Sequence, residues 1–188
     1  ANKKALDILM KGIDSLGFVM DPAKAPTIEE VERLMENIYS EIVEVNFNCG
    51  KQAPKVFEIY LELVKKYNRI LQKIHGAVNF DPIANLIIAG NFYESEDADF
   101  DACAKLIESS KHAPHFRTLS VNATYFKNSG SNIVQELAYA MAYGNEYLQR
   151  LTEKGLSVDD IAPNLKFHFA VGSSYFMEIA KIRAARFL

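Results

Sequence analysis

Residues Leu165–Leu188 read LKFHFAVGSSYFMEIAKIRAARFL and predict a strand that turns directly into a helix. The aromatic and β-branched run ends at Gly172, and Ser173 or Ser174 is placed to cap the helix that follows. The helix reaches Leu188 without the Gly, Asn or Pro that usually ends one, which predicts a piece of a longer protein. The apolar stripe of this helix is predicted to comprise Phe176, Ile179, Ala180, Ala184 and Phe187.

The same strand-to-helix unit recurs along the chain. Because strands alternate with helices about five times, we predict an α/β fold of the (β/α) TIM-barrel type. Residues 1–188 would form a single domain, a partial barrel of about five βα units around a parallel sheet. The predicted strands are Ile13–Met20, Glu41–Asn48, His75–Phe80, Phe116–Thr124 and the run ending at Gly172. The predicted helices cover about 3–12, a segment from the capping box at Thr27–Glu30, Pro54–Asn68, a start at Asp81-Pro82, Phe100–Ser110, Asn132–Lys154 and the final stretch.

Composition narrows the classes of function. The chain has 188 residues, 49% of them hydrophobic, and a net charge of −3, so it can bury one core. This charge gives no attraction to phosphate backbones, and we expect no nucleic-acid partner. The absence of a long apolar run predicts no membrane partner and a cytoplasmic protein. Cys49 and Cys103 are predicted to be buried thiols rather than a disulfide.

A histidine pair, His112 and His115, is a candidate metal site. Pro114 breaks any helix that would align the two imidazoles, and no third ligand stands at a convincing spacing. An acidic stretch has the spacing of a calcium loop, but Ala102 stands where that loop needs glycine. We therefore predict no metal site at either place. The acidic residues at the loop positions are Asp97, Asp99, Asp101 and Glu108.

Two polar turns, Asn128–Ser131 and Gly172–Ser174, each lead into a predicted helix. Backbone amides at such turns can hold a phosphate or carboxylate, although short polar turns are also the ordinary connection between a strand and a helix. The chain contains no phosphate-binding P-loop, G-x-G-x-x-G or G-x-S-x-G motif. The residues alone identify no catalytic, cofactor-binding or metal-binding residue.

The carboxy-terminal segment SSYFMEIAKIRAARFL (Ser173–Leu188) resembles the methylmalonyl-CoA mutase family, which carries F-[FM]-E-[IV]-A-K-[LI]-R-A-A-R in its substrate-binding barrel. Further segments match that family in order and spacing, so the resemblance covers nearly the whole chain. These are ALDILMKGIDSLGF (Ala5–Phe18), HGAVNFDP (His75–Pro82), Gly130 with ELAYAMAYGNEYL (Glu136–Leu148), and SVDDIAPNLKFHFAVG (Ser157–Gly172).

The resemblance implies a barrel that threads an acyl-CoA along its axis. It also implies a radical isomerisation between methylmalonyl-CoA and succinyl-CoA, with adenosylcobalamin held by a separate carboxy-terminal domain. This chain has no D-x-H-x-x-G motif, so we expect no cobalamin-binding domain within it.

The chain departs from the family where catalysis is expected. The family's G-Y-H-M-Q-E-A-G is matched by Ala123–Gly130, which places Tyr125 at the catalytic histidine. A phenol, with a pKa of about 10, cannot replace imidazole as a general acid near neutral pH. The family's S-M-T is matched by Val45, Asn46 and Phe47, and its G-T-I-Q-N-D by Gly76–Asp81. We expect Val45 and Phe47 to fill the barrel axis with ordinary core.

These departures imply a small (beta) subunit without a functional active site, and we expect the chain to be inactive by itself. It would support a large (alpha) catalytic subunit and bind no cofactor; adenosylcobalamin would enter the holoenzyme through that partner. One alternative is a mutase homologue with a changed substrate, which would use Lys127 or Lys166. Another is a CoA- or phosphate-binding protein that uses the Ser-Gly-Ser turn. A homodimer of the fragment is a further expectation.

Overall fold

The computed structural model describes residues 1–188, and its five strands form one parallel sheet. The strand order along the sheet follows the chain, so each strand pairs with the next one. A sequential order is typical of a (β/α) barrel, whereas a doubly wound sheet reverses its order part-way. The prediction of a partial barrel with a parallel sheet is therefore confirmed. The strands are β1 (Ser15–Val19), β2 (Glu44–Asn48), β3 (Gly76–Phe80), β4 (Phe116–Asn122) and β5 (Leu165–His168).

Nine α-helices connect and flank the strands. The capping box of Thr27 and Glu30 is present at the start of the second helix, as predicted. The fifth helix begins at Glu96 rather than Phe100, because Ser95 caps it and the acidic residues lie in its first turn, where the helix dipole favours them. The short sixth helix was not predicted. The helices are α1 (Asn2–Leu9), α2 (Ile28–Met35), α3 (Ala53–Lys66), α4 (Pro82–Ala89), α5 (Glu96–Ser110), α6 (Thr124–Asn128), α7 (Ile133–Glu153), α8 (Val158–Ile161) and α9 (Tyr175–Ala185).

The sheet is strongly curved. Lys166 Nζ on β5 lies 3.1 Å from Glu44 Oε1 and 2.7 Å from Asn46 Oδ1 on β2. Because β3 and β4 lie between these strands, a flat sheet would hold β2 and β5 about 14 Å apart, beyond the reach of these side chains. The three side chains therefore lie on the concave face, which corresponds to the inside of a barrel.

The hydrophobic core lies between the convex face of the sheet and the helices. Phe47 packs against Tyr60 of α3 with ring centroids 5.4 Å apart, and Val45 is fully buried on the same side of β2. Phe116 of β4 stacks on Phe57 of α3 at 5.1 Å. The prediction that Val45 and Phe47 fill the barrel axis is therefore wrong. Side chains alternate along a strand, and these two belong to the face that the helices cover.

The closing helix α9 is also oriented differently from the prediction. Phe176 and Phe187, two members of the predicted apolar stripe, are 82% and 89% exposed. The buried side chains of α9 are instead Glu178 and Lys181. Ionic groups at these positions are tolerated inside because each has a partner of opposite charge. Ser174 stands at the start of this helix, but neither predicted serine provides a side-chain cap.

Glycine is required at Gly76, the first residue of β3. Its φ is +152°, and a Cβ atom there would lie 1.9 Å from the carbonyl oxygen of Val45. Cys49 and Cys103 are free and buried, as predicted, and burial raises the pKa of the Cys49 thiol to about 12. No helix in the structure combines the length and apolar character that a membrane-spanning segment needs.

Candidate functional site

The concave face of the sheet is polar. On β2 it presents Glu44, Asn46 and Asn48, which alternate with the buried Val45 and Phe47. Asn46 Nδ2 lies 3.3 Å from Ser15 Oγ of β1, and Asn79 Nδ2 donates to Asn48 Oδ1 at 2.7 Å. Ser120 and Asn122 share this face, because they are the register partners of Lys166 and His168 on β5. A curved face lined by amides, hydroxyls and charges is therefore the candidate binding surface.

Lys166 crosses the middle of this concave face. Its ammonium contacts both Glu44 and Asn46, and its side chain is 25% exposed. Partial burial opposes ionisation of Glu44, but the hydrogen bond and charge of Lys166 lower the pKa of that carboxyl below its usual value. Burial and the Lys166 charge also lower the pKa of His168 at the end of β5. The lysine thus holds a fixed position between two strands that are not neighbours.

A buried carboxyl lies just beyond the carboxyl end of β3. Asp81 caps α4 by accepting from the amide of Ala84 at 3.0 Å, and it accepts from the hydroxyls of Tyr143 and Tyr147 on α7. Its Oδ2 atom is buried and has no hydrogen-bond partner. Burial raises the pKa of Asp81 to about 6, although the hydrogen bonds oppose this effect.

A buried ionic cluster fixes the loop between β5 and α9. Lys181 Nζ lies 2.8 Å from Glu136 Oε2 on α7 and 2.6 Å from Glu178 Oε2, and it donates to the carbonyl of Ala170 at 2.6 Å. Glu136 also accepts from the amide of Ala170, and Glu178 from the amide of Gly172. The ammonium lowers the pKa of Glu178. This cluster is not among the predictions made from the sequence. The signal that could have found it is the three-residue spacing of Glu178 and Lys181, which predicts an ion pair within a helix.

The two predicted anion-binding turns are already satisfied from within the chain. The amide of Gly172 donates to Glu178 Oε1 at 3.0 Å. The first turn of α7 is capped by Asn132, which forms a capping box with Gln135. An internal carboxylate and an internal amide therefore take the places that an external phosphate would need. Lys127, also considered for a changed substrate, lies in α6 beside Gly172. Its Cε atom would be 3.9 Å from a Cβ atom if residue 172 had one.

The structure separates the residues that were weighed as metal ligands. His115 stacks on His75 with ring centroids 4.9 Å apart, not on His112. Asp99 accepts from the amides of Tyr93 and Glu94, and Asp101 pairs with Lys154, the residue that follows α7. No group of three or more His, Cys, Asp or Glu side chains converges closely enough to hold a metal ion.

The family model described as methylmalonyl-CoA mutase matches residues 23–188. The chain belongs to the methylmalonyl-CoA mutase family. It is 39% identical over 189 residues to the methylmalonyl-CoA mutase small subunit of Porphyromonas gingivalis, covering 100% of this chain and 30% of that protein.

Other mutase relatives agree with this assignment. The small subunit of Streptomyces virginiae is 30% identical over 98% of this chain and 29% of its own length. The methylmalonyl-CoA mutase of Cereibacter sphaeroides is 29% identical over 86% of this chain and 23% of its own length. The chain thus spans less than a third of these mutase proteins.

Tyr125 occupies the position at which the mutase family resemblance places a catalytic histidine. It lies in α6, directly after the carboxyl end of β4, where barrel enzymes carry their catalytic groups. Its side chain is 36% exposed, and its hydroxyl makes no hydrogen bond within the chain. The loss of a catalytic group at Tyr125 stays a prediction.

Proposed function

We propose that the chain is part of a non-catalytic small (beta) subunit of a cytoplasmic methylmalonyl-CoA mutase. Residues 1–188 would form one domain, a portion of the acyl-CoA mutase barrel. The large (alpha) subunit would carry out the cobalamin-dependent isomerisation of methylmalonyl-CoA and succinyl-CoA, and this chain would support it. The identity to two proteins named as small subunits supports this assignment.

The observation that carries the proposal is the bridge from Lys166 to Glu44 and Asn46. The family resemblance implies that acyl-CoA threads along the barrel axis, which corresponds to the concave face of this sheet. Side chains held across that face by an ion pair and a hydrogen bond stand in the path of the acyl group. An incoming thioester would have to break both contacts and leave Glu44 without its partner.

The residues present do not fit adenosylcobalamin. The chain has four histidines, and none lies in a D-x-H-x-x-G motif. His168, at the carboxyl edge of the sheet, is partly buried beside Lys166, whose charge disfavours a second cation there. In this proposal the cofactor therefore belongs to the large subunit, and no step passes through this chain.

Association with a large subunit tests the proposal. We expect this chain, mixed with the large subunit of a two-subunit methylmalonyl-CoA mutase, to sediment as a one-to-one complex in analytical ultracentrifugation. A catalytic mutase of single-chain type serves as the control, because it should not recruit the chain. A homodimer that persists in the presence of excess large subunit would contradict the proposal.

A second candidate function is a mutase homologue with a changed, polar substrate. The observation that favours it is the amide pair of Asn48 and Asn79 at the carboxyl edge of the concave face, where the axis remains polar. The two candidates differ in ligand affinity: only the second predicts that this chain binds a CoA ester by itself.

A further inference from the structure

Two histidines from neighbouring strands meet at the amino-terminal mouth of the concave face. His75 immediately precedes β3 and His115 immediately precedes β4, and the following residues, Gly76 and Phe116, are register partners. The imidazole rings are stacked, with centroids 4.9 Å apart and planes inclined by 18°. The backbone at both positions is fixed by the sheet, because the carbonyls of His75 and His115 accept from the amides of Val45 and Gly76.

The pair opens into a polar cavity of about 390 Å³. Asp14, Glu44 and Arg117 also line this cavity. Glu44 is paired with Lys166, whereas Asp14 and Arg117 have no ion-pair partner and offset each other's charge. Both histidines are exposed to solvent, so their rings can turn without disturbing the core. The residues around the two rings therefore carry little net charge that would attract or repel a bound ligand.

We propose that His75 and His115 form a binding site for a divalent transition-metal ion of the Zn²⁺, Ni²⁺ and Cu²⁺ class. Imidazole nitrogens bind such ions at about 2.0–2.1 Å, so two nitrogens on one tetrahedral ion lie about 3.3 Å apart. Imidazole lone pairs lie in the ring planes, so the stacked rings must rotate about their side-chain bonds before one nitrogen of each faces the same ion, and their exposure to solvent leaves them free to rotate. The protein supplies two ligands and water completes the coordination, while the Asp14 carboxylate in the same cavity is the acceptor available to a bound water.

This site is separate from the proposed mutase role. Asp81 and Tyr125 lie at the carboxyl ends of the strands, whereas His75 and His115 precede the amino ends of β3 and β4. The sequence places His115 near His112, where no metal site is predicted. His75, the histidine that meets His115 in the structure, is 40 positions away along the chain and becomes a neighbour only through the pairing of β3 with β4.

Isothermal titration calorimetry with NiCl₂ and CuCl₂ in a non-chelating buffer tests the site. We expect one ion per chain, with Cu²⁺ bound more tightly than Ni²⁺. His75→Ala and His115→Ala should each lower the association constant at least tenfold. His112→Ala is the matched control, an exposed histidine outside the pair, and should leave the constant unchanged.

NMR line broadening by Cu²⁺ tests the site without relying on the heat of binding. Cu²⁺ is paramagnetic, and at substoichiometric concentration it should broaden the NMR signals of the His75 and His115 rings before those of His112 and His168. Equal affinity of the wild-type chain and the His75→Ala/His115→Ala double variant would overturn the proposal. An equal loss of affinity in His112→Ala would overturn it as well.

Discussion

Replacing Lys181 with Met is expected to lower the free energy of unfolding by about 3–5 kcal/mol. The Lys181 ammonium is fully buried and is shared by Glu136 and Glu178, whose side chains are 0% and 5% exposed. Methionine fills a similar volume, but it leaves two buried carboxylates without a counter-charge and the Ala170 carbonyl without its donor. The loss arises from these stranded groups rather than from a cavity.

The measurement is urea denaturation of the two proteins at pH 7, followed by circular dichroism. Lys55→Met is the matched control, because Lys55 also pairs with a glutamate, Glu58, but both side chains are more than half exposed. An exposed pair contributes about 0–1 kcal/mol, so the control should unfold almost as the wild type does. A loss below about 1 kcal/mol for Lys181→Met would contradict the view that the cluster holds α9 to the barrel.

The second large effect is a dependence of stability on pH. The pKa of Asp81 rises from 3.8 to about 6 in the folded chain. The folded state therefore binds this proton more tightly than the unfolded state does. This tighter proton binding stabilises the folded state by about 3 kcal/mol below about pH 4. The stabilisation is lost as the pH rises through 6.

Replacing Asp81 with Asn should remove this dependence. Asparagine can keep the helix cap and accept from the tyrosines, but it carries no charge at any pH. We expect the free energy of unfolding of the variant, relative to wild type, to rise by about 3 kcal/mol between pH 4 and pH 7.5. Asp97→Asn, at a side chain that is 97% exposed, is the control and should show a flat difference. A flat or falling difference for Asp81→Asn would show that the buried carboxyl is not the titrating group.

The fold could be predicted from the sequence because each unit carries local signals. Thr27 and Glu30 form their capping box, and the alternation over Glu41–Asn48 predicts a strand. Alternation divides β2 into two faces but does not say which of them faces the axis. That choice depends on the helices packing over Phe47, notably through Tyr60, which is 13 residues further along the chain.

The site could be predicted only in part for the same reason. Tyr125 and Asp81 follow strands and fall within segments that match family motifs, although nothing in the sequence indicates that Asp81 is a buried carboxyl. The partner of Lys181 is Glu136, 45 positions away. Lys166 reaches Glu44 over 122 positions, and only the curvature of the sheet brings them together. A charged residue within an apolar helix therefore predicts that an ionic partner exists, but the sequence does not show which residue that partner is.

If the proposed role is right, the concave face of this sheet binds no acyl-CoA, and calorimetric titration of the chain with methylmalonyl-CoA and succinyl-CoA measures this. A catalytic mutase is the positive control. We expect no heat beyond dilution for this chain, with any dissociation constant weaker than about 1 mM. Binding of either ester with a micromolar dissociation constant would contradict it and would favour a mutase homologue with a functional axis.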